Sequence, residues 1–483
     1  MSEAASLPPA GAGLKALAEA RCAMHPGLSG IYPLNDGLDA FAARYLLMGM
    51  AQHSIDVQYY IWHNDLSGRL LFSALLDAAE RGVKVRLLLD DNNTPGLDDT
   101  LAELDRHPNI AVRLFNPFSF RTLRALGYLT DFARLNRRMH NKSLTVDGAV
   151  TLVGGRNVGD EYFGTGDEPL FTDLDVLAMG PVVQEVEADF ARYWQSKAVS
   201  PLRSVVDVTE TAQEAVRLPS EWQQSEAVQR YLARLEHAGF VNQMAQDTLE
   251  VTWAAARLLS DDPRKGLGKA RRGSLLPQRM LEVIGAPQQQ FDIISAYFVP
   301  TRAGVAQLLT LKRRGVKIAI LTNSLAANDV SVVHAGYARW RKKLLRHGIA
   351  LYELKPQQQS GEAPHDRGLT GNSGSSLHAK TFTVDNRKVF IGSFNFDPRS
   401  AVLNTEMGLV IESESLAQQT HQHFIAGMRD RAWTLRLDKW GRVNWVEYPG
   451  EAHETVHKHE PQCTWLQRLL VRLVWRLPVE WLL

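Results

Sequence analysis

The sequence has few cysteines and almost no net charge. Only two of its 483 residues are cysteine, Cys22 and Cys463, and they lie near opposite ends of the chain. Cysteines so placed form neither a disulfide framework nor a metal-binding cluster, and they suit a reducing compartment. The formal net charge of +1 at pH 7 is not that of a polybasic nucleic-acid-binding protein. We therefore expect a globular protein with no nucleic-acid partner, no metal and no cofactor.

Long hydrophobic runs are missing as well. No uninterrupted apolar stretch approaches the ~18 residues that a membrane-spanning helix needs. The first nine residues also lack the basic start and apolar run of a signal peptide. If the protein acts on lipids, it must reach the membrane from the surface.

What the sequence does contain is one polar pattern in two copies. A histidine, a lysine two positions later and an aspartate five positions after the lysine recur in the same order, and an asparagine lies ten positions beyond each aspartate. A small residue precedes each asparagine by two positions. The first copy is His140, Lys142, Asp147, Gly155 and Asn157; the second is His378, Lys380, Asp385, Ser393 and Asn395. Two copies in one order indicate a duplicated half-site.

The residue types point to a phosphodiester substrate. Displacement at phosphorus spreads negative charge over the equatorial oxygens, which lysine and asparagine donors can stabilise. One neutral histidine can attack phosphorus while the second, protonated, donates to the leaving oxygen. A histidine nucleophile forms a phosphohistidine and divides the displacement into two easier steps. The lysines supply the positive charge that a metal ion would otherwise bring.

Around each motif the alternation of residues predicts a β-hairpin. Asp147 and Gly148 form a strong turn signal, and pairing across the turn places Gly155 roughly opposite His140. The small Gly155 and its counterpart Ser393 would leave room for a phosphate beside the histidine. Strand alternation points Asp147 away from the histidine face, so we interpret Asp147 and Asp385 as turn-shaping members of the motif.

The duplicated motif resembles the phospholipase D superfamily along nearly the whole chain. Within it, residues 396–406 are similar to bacterial cardiolipin synthases, and residues 134–140 and 477–483 are closest to the cardiolipin synthase C group. The resemblance implies His140 as nucleophile and His378 as general acid and then base. It also implies that an acidic residue after the second strand orients each motif histidine. Glu406 takes that place in the second half and Asp173 in the first, where Asp175 is a rival.

The duplication extends upstream of both motifs. Residues 55–60, 81–89 and 110–114 match residues 291–297, 314–321 and 349–354 as strands separated by helix-length segments. This order predicts an α/β fold with two phospholipase D-type lobes, each a mixed sheet flanked by helices. The resemblance implies a pseudo-twofold axis and one shared active site. The expected parts are an N-terminal extension (1–29), a first lobe (30–200), an insertion (201–274), a second lobe (275–440) and a C-terminal tail with an amphipathic helix (441–483).

Two segments have the composition of membrane contacts. Residues 465–477 plot as an amphipathic helix with tryptophans at its boundary, which suits either the membrane interface or packing against the second lobe. Residues 115–132 combine aromatic side chains with arginines that could hold the phosphate of an anionic lipid; an ordinary helix and loop covering the sheet is the alternative.

The resemblance implies a cardiolipin synthase that transfers a phosphatidyl group to phosphatidylglycerol. The implied donor is phosphatidylethanolamine or phosphatidylglycerol, and an activating protein partner is implied too. The expected location is the cytoplasmic face of the bacterial inner membrane, as a peripheral protein. A phospholipase D that releases phosphatidic acid, or another phosphodiesterase of the superfamily, has the same motif residues, because the acceptor alone distinguishes them.

Overall fold

The computed structural model describes residues 13–119, 121, 124–164, 172–206, 216–217, 226–240, 243, 248–328, 331–356, 377–426, 430–448 and 453–474. Predictions on residues 1–12 and on 475–483 lie outside these.

The first lobe is built on a mixed sheet. Three parallel strands form one half of this sheet, and antiparallel strands, among them the motif hairpin, form the other. The strands are, in spatial order, Val199–Pro201, Ile110–Phe115, Lys84–Asp90, Ser54–Tyr59, Ser143–Val146, Val150–Gly154, Asp175–Met179 and Ser29–Leu34. The parallel strands are rich in buried Val, Ile and Leu because helices cover both faces of the sheet.

The second lobe repeats this order. Its three parallel strands and its motif hairpin pair as their counterparts do in the first lobe, and two further strands extend the far edge. The strands are, in spatial order, Met407–Glu412, Lys388–Gly392, Lys380–Val384, Gln290–Ser295, Lys317–Asn323, Ala350–Leu354, Ala432–Leu437, Val443–Glu447 and Thr455–His457. The mixed sheets predicted from the sequence are confirmed.

One strand joins the two sheets. Thr252–Ser260 pairs at its start with Ser29–Leu34 of the first lobe and along the rest with Met407–Glu412 of the second. In the second lobe it takes the place that Ser29–Leu34 takes in the first. The sequence analysis did not predict a strand here, within the expected insertion. Three consecutive alanines have weak strand propensity, and pairing partners from both lobes provide the stabilisation instead.

Helices flank both sheets. In the first lobe they are Leu14–Ala23, Gly37–Met50, Leu66–Glu80, Asp98–Arg106, Arg124–Leu135, Asp160–Phe163 and Pro181–Trp194. Glu226–Glu236 follows, and the second lobe has Leu276–Ile284, Thr301–Arg313, Ser331–Arg346, Pro398–Val402, Glu414–Phe424 and Trp465–Val474. Short 3-10 turns are Asp91–Asn93, Leu202–Ser204, Pro263–Leu267 and Arg272–Ser274. Within the described parts of the chain, no helix is long and apolar enough to cross a membrane.

A buried apolar cluster holds the lobes together. It combines first-lobe side chains such as Val153 and Val176 with second-lobe side chains such as Ile391 and Leu409. The joining strand contributes Leu258 to the same cluster. Because side chains of both lobes are buried together, the hydrophobic effect fixes the position of one lobe relative to the other. The motif hairpins, which border this cluster, are therefore held against each other.

Candidate active site

Each motif lies on a hairpin that is tied down by its aspartate. Asp147 has φ +53° and Asp385 has φ +54°, so both adopt the left-handed conformation that begins a tight turn. The Asp147 carboxylate accepts the backbone N–H groups of residues 52–54, and that of Asp385 accepts those of residues 288–290. These contacts lock each turn onto the start of the neighbouring strand.

The two histidines are paired with carboxylates of the opposite lobes. Nδ1 of His140 lies 2.8 Å from Oε2 of Glu406, and Nδ1 of His378 lies 2.5 Å from Oδ2 of Asp173. The order of the sequence assigned one acidic residue to the histidine of each half. In the structure each acidic residue pairs with the histidine of the other lobe. The rival Asp175 instead binds Arg44 at 2.8 Å, which leaves Asp173 as the partner of a histidine.

Backbone hydrogen bonds between the lobes determine which acidic residue pairs with which histidine. The N–H of His140 donates to the carbonyl of Thr405, immediately before Glu406, at 2.9 Å. The N–H of His378 donates to the carbonyl of Thr172, immediately before Asp173, at 2.8 Å. The backbone of each histidine is thus hydrogen-bonded to the residue that precedes its acidic partner. This contact places each histidine beside a carboxylate of the other lobe.

The motif lysines lie beneath the histidines. Nζ of Lys142 donates to the carbonyl oxygen of His140 at 2.7 Å, and Nζ of Lys380 donates to that of His378. Both side chains are buried. Burial lowers the pKa of Lys142 well below its ordinary value, while the charge of Glu406 opposes that shift. A bound phosphodiester would add a negative charge that favours the protonated lysine.

The predicted substrate-binding residues divide into two groups. Asn157 and Asn395 line the cavity between the histidines, and the amide of Asn157 donates to the hydroxyl of Tyr162 at 2.9 Å. Gly155 and Ser393 contact the acidic residues instead. A Cβ atom on Gly155 would lie 2.2 Å from Oδ1 of Asp173, and the Ser393 hydroxyl donates to Glu406 at 2.5 Å.

The cavity itself has a volume of about 320 Å³ and is lined by both lobes. Two tyrosines that the sequence analysis did not single out border it. The ring of Tyr60 packs edge-on against His140 with centroids 5.0 Å apart, and that of Tyr162 packs against His378 at 5.1 Å. Tyr60 directly follows a buried strand that ends at the cavity, which is the one sequence signal that could have indicated it. Aromatic walls of this kind restrict the histidine rings to one orientation.

The electrostatics of the two pairs differ. Burial raises the pKa of Glu406 to about 7, and burial with the nearby lysine charges lowers the pKa of His140 well below its ordinary value. The pKa of Asp173 moves the other way: burial would raise it, but the charge and hydrogen bond of His378 lower it. Burial lowers the pKa of His378, and the Asp173 carboxylate opposes this shift. His140 therefore favours its neutral form, while His378 has an ionised partner that stabilises its protonated form.

A separate group of ionisable side chains lies at the rim of the cavity. Ligand-type atoms of His63, Asp65 and Glu161 lie within 4.8 Å of one another. Both oxygens of Asp65 already accept hydrogen bonds: Oδ1 from the Ser67 hydroxyl and the Gly68 N–H, and Oδ2 from the N–H of Asp160. In the same group, Nδ1 of His63 lies 3.3 Å from Oε1 of Glu161.

Two repeated lobes with one histidine, lysine and asparagine set from each half define a phospholipase D-type phosphotransferase. The family model described as "Cardiolipin synthase, PLD-like domain" matches residues 46–194 and 280–428. The chain therefore belongs to this family, as the sequence analysis predicted. The two matched segments fall within the two lobes and contain the two motifs.

Individual relatives agree with the family. The chain is 65% identical over 463 residues to "Cardiolipin synthase C" of Escherichia coli (strain K12), covering 96% of this chain and 98% of that protein. It is 27% identical to "Cardiolipin synthase A" of Pseudomonas syringae pv. syringae, over 81% of this chain and 67% of that protein. The crystal structure of a phosphatidylserine synthase from Haemophilus influenzae Rd KW20 shares the fold, with a TM-score of 0.60, 16% identity and coverage of 94% and 95% of the two chains.

Proposed function

We propose that this protein is a cardiolipin synthase that transfers a phosphatidyl group to phosphatidylglycerol through a phosphohistidine. The observation that carries the proposal is the pair of buried histidines in one cavity, each held by a carboxylate of the other lobe. Such an arrangement supplies a nucleophile and a proton donor on opposite sides of one phosphorus atom. The 65% identity to a cardiolipin synthase C supports the choice of substrate.

The hydrogen bonds of His140 support its role as the nucleophile. Its Nδ1 faces two acceptors, Glu406 at 2.8 Å and the carbonyl of Ser393 at 3.0 Å. The ring proton therefore resides on Nδ1, which leaves a lone pair on Nε2 for attack on phosphorus. The lowered pKa of His140 favours this neutral form.

His378 acts as the proton donor and then as the base. In the first step Nε2 of His140 bonds to phosphorus, the bond to the headgroup oxygen breaks, and His378 gives its proton to that oxygen. In the second step His378 takes the proton of the acceptor alcohol, the alkoxide oxygen bonds to phosphorus, and the phosphorus–nitrogen bond breaks. The ionised Asp173 stabilises the protonated His378, which the first step consumes and the second step regenerates.

Lys142, Lys380, Asn157 and Asn395 would hold the phosphate oxygens. The asparagines line the cavity, and their side-chain amide N–H groups are the donors that can reach phosphate oxygens there. Loss of either lysine is expected to lower turnover by on the order of 10²-fold, the scale measured for one oxyanion donor. No metal ion is required for this chemistry, and chelators should leave activity intact.

Membrane association would use two amphipathic helices at equivalent places in the lobes. Arg124–Leu135 packs on the turn after the strand Lys84–Asp90, where Tyr128 donates to Asn92 at 2.9 Å. Trp465–Val474 packs through Val471 on Leu325, after the matching strand Lys317–Asn323. Both strands end at the active site, since Asp90 accepts the N–H of Met139 and Asn323 lines the cavity.

The outer faces of these helices are apolar. The most exposed of their apolar side chains, all more than one third exposed, are Leu126, Leu129, Phe132, Trp465, Leu466, Leu469, Leu470 and Leu473. Two apolar faces that follow strands ending at the active site would bind a lipid surface and hold the cavity mouth against it. We place the protein peripherally on the cytoplasmic face of the bacterial inner membrane. The proposed donors are phosphatidylethanolamine and phosphatidylglycerol, with an activating protein partner.

The test is to identify the lipid products. Purified protein is incubated with mixed phosphatidylglycerol and phosphatidylethanolamine vesicles, and the products are measured by mass spectrometry beside His140→Ala. Cardiolipin that the variant does not form is the expected result. Phosphatidic acid alone would make water the acceptor and the protein a phospholipase D. Absence of any lipid product, with or without a cell extract that supplies the partner, would overturn the proposal.

A further inference from the structure

Two equivalent positions on opposite sides of the active-site cavity carry opposite charges. Glu161 and Arg399 each lie four positions after the asparagine of their own half, so they occupy equivalent places in the two lobes. Both line the cavity. A duplicated site would be symmetric if both halves bound the same chemical group. The exchange of a carboxylate for a guanidinium instead makes the two sides suited to different groups.

Glu161 lies on the side of His378. Its neighbour on the short helix Asp160–Phe163 is Tyr162, whose ring packs against His378 with centroids 5.1 Å apart. Arg399 lies on the side of His140. Its guanidinium donates to Oδ1 and to the backbone carbonyl of Asn136, in the segment that leads to His140, at 2.7 and 2.9 Å.

This placement has a consequence for the headgroup that leaves. Attack by His140 is in line, so the departing oxygen lies opposite it, beside His378. The rest of the departing alcohol extends into the part of the cavity that Tyr162 and Glu161 border. A carboxylate at that position attracts a cationic group a short chain away from the oxygen, and offers less to a neutral one.

We infer that Glu161 is the residue that selects a donor lipid with an ammonium-bearing headgroup, of the ethanolamine type. This inference rests on the proposed function and specifies the donor side of the same site. His63 modulates it, because its Nδ1 faces Oε1 of Glu161 at 3.3 Å and, when protonated, competes with the ammonium for the carboxylate.

The experiment compares two donors with one acceptor. Vesicles contain phosphatidylglycerol as acceptor, with or without phosphatidylethanolamine, and the released ethanolamine and glycerol are quantified by chromatography. Glu161→Gln keeps the shape and removes the charge. We expect it to lower the ratio of ethanolamine to glycerol release by about 10- to 100-fold, the scale of one charge-assisted hydrogen bond, with glycerol release little changed. Glu161→Asp should restore part of the ratio.

A second variant tests the same idea in the opposite direction. His63→Gln removes the competing cation, so the ratio should rise by about 2- to 5-fold, the scale of an exposed ion pair. Glu414→Gln, which removes an exposed carboxylate from a helix of the second lobe, is the matched control and should leave the ratio unchanged.

The outcomes separate this inference from the proposed function. If the wild type releases neither headgroup, the proposed function fails. If the wild type forms cardiolipin and the ratio is the same in Glu161→Gln, Glu161→Asp and the control, Glu161 does not select the headgroup. A loss of both releases in equal measure by Glu161→Gln, with an unchanged melting temperature, would contradict the inference too, because it would place Glu161 in the transfer itself.

Discussion

His140 and Glu406 are separated by 266 positions in the chain, yet Nδ1 of the first lies 2.8 Å from Oε2 of the second. The pair joins the nucleophile candidate of one lobe to a carboxylate of the other. The matching contact between His378 and Asp173 runs in the reverse direction. Neither lobe therefore contains a complete histidine pair, and separate lobes should be inactive until they associate.

Replacement of Glu406 by glutamine should change how stability depends on pH. Burial raises the pKa of Glu406 from 4.5 to about 7, so the folded protein holds its proton where the unfolded chain has lost it. This contribution to stability is fully present below pH 4.5 and is lost as the pH rises through about 7. The difference amounts to about 3 kcal/mol, at 1.36 kcal/mol per pKa unit. Glutamine does not titrate, so Glu406→Gln should gain stability relative to the wild type between pH 4.5 and 8.

Urea unfolding of both proteins at pH 4.5, 6 and 8 measures this difference. Comparing the variant with the wild type at each pH removes the contributions of titrating groups that do not interact with Glu406. A stability difference that stays constant over this range would show that Glu406 keeps an ordinary pKa in the folded protein.

Replacement of Asp173 by asparagine should shift the pH profile of headgroup release. The first step needs protonated His378, and the ionised Asp173 raises the pKa of that histidine against the effect of burial. Without this charge the pKa of His378 should fall further below its ordinary value. The basic limb of the profile should therefore move to lower pH, with partial recovery of activity in mildly acidic buffer. A drop in rate of equal size at every pH would instead indicate a role in folding or packing.

Replacement of His378 by alanine should separate the two chemical steps. His140 keeps its nucleophilic lone pair in this variant, but the leaving oxygen receives no proton from His378 and the acceptor meets no base. With a donor whose headgroup is replaced by a good leaving group such as p-nitrophenol, His378→Ala should form the phosphohistidine and hydrolyse it slowly. Rapid-quench intact-protein mass spectrometry detects the added phosphatidyl mass. His140→Ala is the matched control and should carry no label; equal labelling of both variants would reverse or abolish the assigned roles.

Much of the site could be predicted from the sequence because its residue order is repeated. The spacing of each motif and its turn signal indicated the hairpins, and strand alternation separated the aspartates from the histidine face. The exchange of Asp173 and Glu406 between lobes could not be predicted, because it depends on how the apolar surfaces of the lobes pack. The sequence order of each half contains no information about that contact.

The arginines near the first motif show a second limit. The sequence analysis left open whether they hold a lipid phosphate or belong to a helix and loop that covers the sheet. In the structure Arg121 pairs with Asp91, and Arg124 donates to the backbone carbonyl of Asp91. Asp91 lies 30 positions before Arg121, so composition gave no sign of the pairing. Arg124 and Arg121 instead fasten the amphipathic helix to the end of a strand, and the apolar side chains stay exposed.

Charge placed on the exposed apolar faces should weaken membrane binding without affecting the fold. Leu129 is 82% exposed and Leu473 is 51% exposed, so glutamate at either position costs little packing in solution. At an anionic lipid surface the same change removes buried apolar area and adds repulsion. Leu129→Glu and Leu473→Glu should each weaken binding to phosphatidylglycerol vesicles in a sedimentation assay, and the double variant more than either.

The matched control for this prediction is Leu281→Glu. Leu281 is 61% exposed on Leu276–Ile284, a helix whose end lies near the turn of the second hairpin, since Lys388 donates to the carbonyl of Val283. That turn is the end of the hairpin away from His378, so this leucine should face water in the bound protein. Equal loss of vesicle binding in all three single variants would mean that added negative charge acts at long range. Selective loss in Leu129→Glu and Leu473→Glu would place both helices at the lipid surface, because all three leucines are exposed and the variants differ in the helix that carries the charge.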